Sequence, residues 1–347
     1  ACYNPLSRLS LDSPTIIEDA NLITDGLVAQ SKANTDPHWD ESASIIIEGL
    51  ILLVATAPQF EGRRNLITVR ELLKTAMKPD DELEDMCALE RIILEHAVHL
   101  QRDPKSEDIG SAIEGAARDF YERSERERSS VLSTARRHTK FLDYSAMRNV
   151  LRDGSFNLAD LKADPAGVTI YLCFPATRMG IVGRWLRIFI NQLLDAMERE
   201  RTTPKAPVLV CLDEFPILGY MKQLENAAGQ IASFNVKLWV FIQDLNQVKA
   251  LYPDRWETFI GKAGIYQCFG INDVTTAEHI SKRLGKTRVE VSRGGEVSPE
   301  QSALGLSGRT SAVELHDLLT PEEVCRLFAR SDRLKRQLII WAGYHPM

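Results

Sequence analysis

Two adjacent carboxylates end an apolar run, Val208-Leu209-Val210-Cys211-Leu212-Asp213-Glu214-Phe215. Neighbouring acids at a strand end suit magnesium-dependent phosphate chemistry. Asp213 would hold a water bound to the metal, and Glu214 would polarise the water that attacks. A second apolar run, residues 236–242, leads into Gln243 and Asp244. A glutamine on the neighbouring strand can sense the γ-phosphate. An apolar strand closed by two acids is also what an ordinary strand cap looks like. Gln243 on the next strand is what moves the reading toward a nucleoside triphosphatase.

Such chemistry needs a loop that cradles phosphates, G-x-x-x-x-G-K-[ST] between a strand and a helix. The one candidate is Gly285-Lys286-Thr287, and its context is wrong. Ile280 occupies the position of the loop's first glycine. A helical pattern precedes it, and Arg288-Val289-Glu290-Val291 follows as a strand-like run. It also lies downstream of the acidic pair, where a phosphate loop normally lies upstream. The expectation is that this chain lacks the loop.

Strands must present these residues and helices must cover the strands. After residue 151 the two alternate: strands at 168–174, 208–212, 236–242, 263–269 and 337–341, helices at 181–200, 224–234 and 275–284. Continuous apolar strands separated by helices predict a parallel sheet covered on both faces. Ligands then bind beyond the carboxyl ends of the strands. Residues 292–306 are Gly/Ser-rich and read as a mobile loop. The last strand is expected to close the sheet.

Residues 13–151 have a different texture. Apolar residues recur at helical spacing, giving five or six helices and no convincing strand. Thr68-Val69-Arg70-Glu71 reads as a capping box. The acids of 80–85 suit a first helical turn. Residues 45–54 are almost wholly apolar but contain Glu48 and fall short of the ~20 residues a membrane span needs, so a buried helix is expected.

The 347 residues suggest two or three domains at about 100–200 residues each. A net charge of −6 argues against a generic nucleic-acid binder, while a local basic channel stays open. Residues 13–150 carry 25 acidic and 17 basic side chains. That is either a solvated acidic surface or a docking face for a basic partner. Residues 122–128 mix both signs and read as an exposed, self-paired helix face. The six cysteines are scattered, with no CxxC pair, and are expected to be reduced and mostly buried. No signal peptide is visible. His96 and His99 lack acid or cysteine partners at ligand spacing, so no metal is expected there. Arg184 and Arg187 share one helix face, either solvated or ion-paired, or at a subunit interface or near DNA.

Several segments together resemble type IV secretion coupling proteins, the VirD4/TraG family. They are Leu212-Asp213-Glu214-Phe215-Pro216-Ile217-Leu218-Gly219, the run from Leu238 through Gln243, Asp244 and Gln247, Phe269-Gly270-Ile271-Asn272-Asp273 with Thr276-Ala277-Glu278, and Leu284-Gly285-Lys286-Thr287. Tyr3-Asn4-Pro5-Leu6 is similar to the segment after that family's first strands. The resemblance covers most of 151–347 and the first dozen residues.

It implies an α/β fold: a RecA-like P-loop NTPase parallel sheet, incomplete here, with an inserted all-α domain. Residues 1–12 would be a remnant of the first part of the nucleotide-binding domain, 13–150 the all-α insertion that recognises substrate, and 151–347 the remaining RecA-like part. The family's membrane helices and phosphate loop would precede Ala1. The resemblance further implies a hexameric ATPase at the cytoplasmic face of a bacterial inner membrane, using ATP and Mg²⁺. Its partners would be relaxases or secreted effectors, single-stranded DNA and the secretion channel. Asp213, Glu214 and Gln243 would form its nucleotide site. Some relatives place an arginine shortly before the third strand to act on a neighbour's nucleotide, and Gly229-Gln230-Ile231-Ala232-Ser233-Phe234 has none. Lys222, Lys237, Arg178 and Arg184 are possible substitutes. Two rival readings remain: a non-enzymatic recognition module, and an FtsK-type DNA translocase, against which the long helical insertion argues.

Overall fold

A computed structural model describes residues 1–28, 37–83, 85–227, 229–294, 303, 309–344 and 346–347. The chain forms two compact units, Ala1–Phe241 and Ile242–Met347. The composition change near residue 150 falls inside the first unit.

The first unit opens with seven α-helices among the described residues up to Leu151, where the periodicity suggests five or six: α1 (Ile16–Leu27), α2 (His38–Thr56), α3 (Leu66–Thr75), α4 (Ala88–Leu100), α5 (Glu107–Tyr121), α6 (Glu125–His138) and α7 (Ser145–Leu151). α2 is apolar on nearly every side, and Ile46, Ile47, Leu50, Ile51, Leu52, Leu53 and Val54 are all buried. A helix with no polar face belongs at the centre of a bundle. α1, α3, α5 and α6 pack around it.

Gly49 makes one of these packings possible. A Cβ there would lie 2.5 Å from the Ala116 Cβ on α5. Gly49→Ala gains about 1 kcal/mol of helix propensity, but overpacking two helix backbones costs about 1–3 kcal/mol. The clash prevails, and a lower thermal midpoint for Gly49→Ala is expected. An unchanged or raised midpoint would show that the helices separate at no cost.

Two local readings of this region are corrected. α3 starts two residues before Thr68, at Leu66, and is capped by Asn65, whose side chain accepts from the Thr68 N–H at 3.1 Å. The acids 80–85 precede α4 rather than forming its first turn. Asp80 turns back to accept the N–H groups of Glu82 and Leu83 and pairs with Arg91 at 2.9 Å.

The rest of the first unit holds short α8 (Asp160–Ala163), long α9 (Met179–Arg199), β1 (Val208–Leu212), α10 (Lys222–Ala227) and β2 (Val236–Val240). β1 and β2 pair in parallel, from Val208 opposite Val236 to Leu212 opposite Val240. Residues 168–174 join no ladder among the described residues, so the expected strand is absent. A strand is defined by its neighbour's hydrogen bonds, which apolar composition cannot supply. The expected helix over 224–234 is split into α10 and a 3-10 turn, Ile231–Phe234, closed by Asn235 in the left-handed region.

The second unit holds α11 (Leu245–Leu251), α12 (Trp256–Gly261), β3 (Ile265–Cys268), α13 (Val274–Leu284), β4 (Lys286–Gly294), β5 (Arg309–Asp317), α14 (Pro321–Leu327) and β6 (Leu338–Trp341). β3 pairs antiparallel with β6, and β4 with β5. The last strand therefore joins β3 in a separate two-stranded sheet, not the parallel pair. Ile271, Ala277, Ile280, Val324 and Leu338 form this unit's core. The loop expected at 292–306 begins inside β4, which runs to Gly294. Nearly all its remainder lies outside the described residues.

The parallel pair is not covered on both faces as expected. Leu209 and Trp239 are 57% and 48% exposed. Cys211 is exposed on that face, and Cys173 is exposed as well, so the expectation of buried thiols fails for both. Cys268 is buried, and burial pushes its thiol up to about 11.

Candidate functional site

β1 delivers Asp213 and Glu214 to the carboxyl margin of the parallel pair. The ladder extends one step past β2, with the Phe241 N–H donating to Leu212 O at 3.0 Å. Both acid side chains are exposed. The chain then drops into a 3-10 turn, Phe215–Leu218. Phe215, Leu218 and Met221 are buried and anchor that turn. α9 packs against it closely enough that a Cβ on Gly183 would lie 3.2 Å from Ile217 O. Gly219 ends the turn at φ +66°, a conformation that glycine adopts without steric cost. A glycine-closed turn with buried anchors thus fixes the backbone that follows the acids.

Gln243 stands just beyond β2 in sequence and belongs to the second unit. Its side chain is exposed, and its N–H donates to Gln247 Oε1 at 3.1 Å. The next residue, Asp244, caps α11 by accepting the Gln247 N–H. The Leu245 N–H donates to Thr276 Oγ1, and the Thr276 N–H in turn donates to Asp273 Oδ2, the cap of α13. Several polar residues of the segments that carry the family resemblance therefore cap helices. This network holds the backbone around Gln243 to α13.

Gly285 closes α13 at φ +80°, and Lys286 starts β4, where it pairs with Asp317. Helix, glycine, strand is the reverse of a phosphate loop's order. No group of three or more His, Cys, Asp or Glu that could hold a metal occurs among the described residues. His96 accepts or donates one hydrogen bond with Thr56 Oγ1 at 2.9 Å, and burial pulls it down to about 4. Asp213 and Glu214 do fit Mg²⁺, a hard cation that binds one or two carboxylates together with substrate phosphates and keeps several waters. An exposed pair of oxygen donors leaves room for both.

The arginine pair on α9 is not a solvated face. Arg187 is buried, and burial holds the partly exposed Arg184 below its ordinary value. Sequence reading missed the place of Arg187, although a signal existed. Trp185, Leu186, Ile188, Phe189 and Ile190 surround it, and a helix apolar on all sides buries whatever polar residue it contains.

Comparison with known proteins adds the family. A family model described as type IV secretory system conjugative DNA transfer matches residues 1–347. The conjugal transfer protein TraG of Escherichia coli is 27% identical over 341 residues, covering 94% of this chain and 51% of TraG. The coupling protein VirD4 of Bartonella quintana is 24% identical over 355 residues, covering 99% of this chain and 51% of VirD4. The chain thus spans about half the length of these relatives. Among solved structures, the unbound bacterial conjugative coupling protein TrwBdeltaN70 superposes with a TM-score of 0.68 at 15% identity, over 99% of this chain and 68% of that one. TrwB in complex with ADP and Mg²⁺ gives 0.63 at 14% identity, over 94% and 66%. The fold is therefore that of the coupling protein TrwB, a mixed α/β chain with a short parallel pair and a bundle of helices. No helix among the described residues is long and apolar enough to cross a membrane. With the family model matched from end to end, this chain belongs to the type IV secretory system conjugative DNA transfer family.

Proposed function

We propose that the protein carrying this chain is an ATP-driven coupling motor. It hydrolyses ATP with magnesium as a homo-hexamer and passes relaxase-bound single-stranded DNA or protein effectors to a type IV secretion channel, at the cytoplasmic face of the inner membrane. Residues 13–150 recognise substrate. Residues 1–12 and 151–347 belong to the nucleotide-binding part. The observation that carries this reading is the exposed Asp213–Glu214 pair at the carboxyl margin of two parallel strands, in a chain of this family.

Each residue has a distinct task. Magnesium, when bound with the nucleotide, neutralises charge on the phosphates. Asp213 would hold it through a water, its Oδ atoms accepting from that water. Glu214 accepts a proton at Oε from the attacking water. The Gln243 side-chain amide donates to the γ-phosphate and reports its presence. Asp213→Ala in the full-length protein should lower Mg²⁺-dependent ATP hydrolysis roughly 10²–10³-fold, the scale of losing one preorganised electrostatic contact. A steady-state phosphate-release assay measures this, and a wild-type rate would remove Asp213 from the site.

A further inference from the structure

Arg187 of α9 donates four hydrogen bonds to backbone carbonyls. Nε donates to Gly26 O at 3.2 Å and Nη2 to Asp25 O at 3.2 Å. Nη1 donates to Leu218 O at 2.9 Å and Tyr220 O at 2.6 Å. Asp25 and Gly26 lie in the last turn of α1, where carbonyls lack helical partners and the helix dipole favours a cation. Leu218 and Tyr220 flank Gly219, in the segment that leaves Asp213 and Glu214. One planar fork therefore joins the first helix of the bundle to the turn behind the acids.

The surroundings keep the fork in place. A Cβ on Gly26 would lie 2.7 Å from Ile188 Cγ1 and 2.8 Å from its Cα, so α1 and α9 touch at backbone distance beside the guanidinium. Gly183 brings α9 near the turn as well, where a Cβ would lie 3.2 Å from Ile217 O. Residues 218–220 are in no strand or α-helix. A polar group lost from this buried site leaves carbonyls without donors, which costs more than a solvent-exposed contact would.

We infer that Arg187 is a positioning residue for the hydrolytic site: it locks the 215–220 turn against α1 and so fixes the direction in which Glu214 leaves β1. This rests on the nucleotide site proposed above. Lysine keeps the charge but offers a single ammonium in place of a fork, so it cannot serve both pairs of carbonyls in the same way.

The test uses the full-length protein and four variants. For Arg187→Lys, kcat for ATP hydrolysis should fall on the order of 10–100-fold while KM stays within about twofold, since small misplacements of a reacting group cost rate. Gly49→Ala, destabilised inside the bundle and remote from the turn, should keep wild-type kcat at temperatures where it is folded. Equal kcat values in Arg187→Lys, Gly49→Ala and wild type would overturn the inference, as would a loss confined to KM. If Arg187→Lys does not fold, Gly219→Ala strains the same turn through its positive φ and should show the same kcat loss; a wild-type kcat there overturns the proposal equally. Glu214→Gln separates the two levels. Turnover surviving in that variant removes the nucleotide site itself, whereas turnover lost there but intact in Arg187→Lys removes only the role of Arg187.

Discussion

Glu214→Gln in the full-length protein should reduce ATP turnover by roughly 10²–10⁴-fold, the usual contribution of a positioned general base, and leave ATP binding within about threefold of wild type. The amide keeps the size and hydrogen-bonding reach of the carboxylate but cannot take a proton. Binding is spared because Glu214 acts on water, not on the nucleotide. Nothing in the fold penalises the change, since the side chain is exposed and the adjoining turn is anchored by Phe215 and Leu218. Unfolding midpoints should therefore match. The measurement pairs a phosphate-release assay with calorimetric titration of a non-hydrolysable ATP analogue. Loss of binding together with turnover would make Glu214 a ligand rather than a base, and unaltered turnover would end the assignment. Gln243→Ala is the useful contrast, because a residue that reads the γ-phosphate can lose signalling while hydrolysis persists.

Sequence legibility was uneven, for physical reasons. The acidic pair was readable because a five-residue apolar run can only be a strand end or a short buried helix, and Asp213 then marks its limit. α2 was readable because ten nearly uninterrupted apolar residues leave little solvent face. Residues 168–174 have the same composition as a strand yet form none. Pairing is a property of two segments, and a sequence shows only one at a time. The break between α10 and the 3-10 turn depends on Asn235 at φ +57°, a left-handed residue that periodicity does not register. β6 read correctly as a strand, but its partner did not, because an apolar run carries no information on direction. Arg187 was misread for a related reason. Three-residue spacing with Arg184 says that two arginines share a face, and only the neighbouring helices decide whether that face meets water. The carbonyls that satisfy Arg187 come from residues 25–26 and 218–220, far apart in the chain.

The largest stability effect is expected at Arg70, inside the helical bundle. Its guanidinium is buried and donates to Arg136 O at 2.9 Å, Thr139 Oγ1 at 3.1 Å and both oxygens of Asp143, the closest at 2.7 Å. It therefore ties α3 to the end of α6 and to the turn that follows. Arg70→Leu removes every donor and leaves those carbonyl and hydroxyl groups inside, at a cost of about 3–5 kcal/mol. That is a large share of a domain's usual margin of about 5–15 kcal/mol. Part of the loss depends on pH. Hydrogen bonds from Arg70, with help from Lys74, hold the Asp143 carboxyl at about 2, below its ordinary value of 3.8. A carboxylate depressed on folding stabilises the fold above its unfolded value, and that stabilisation fades as pH falls through its folded value. The window is therefore about pH 4 down to about 2. Asp143 is one-third exposed, so solvent screening limits this share to about 1 kcal/mol. Urea unfolding of wild type and Arg70→Leu should give curves separated most at neutral pH and drawing together below about pH 4. The gap should not close, because the bonds to Arg136 O and Thr139 Oγ1 do not titrate. A separation that stays constant from pH 6 to pH 2 would show that Asp143 contributes nothing, and a difference under about 1 kcal/mol at pH 7 would show that water replaces the buried guanidinium, contrary to the cost of leaving buried polar groups unpaired.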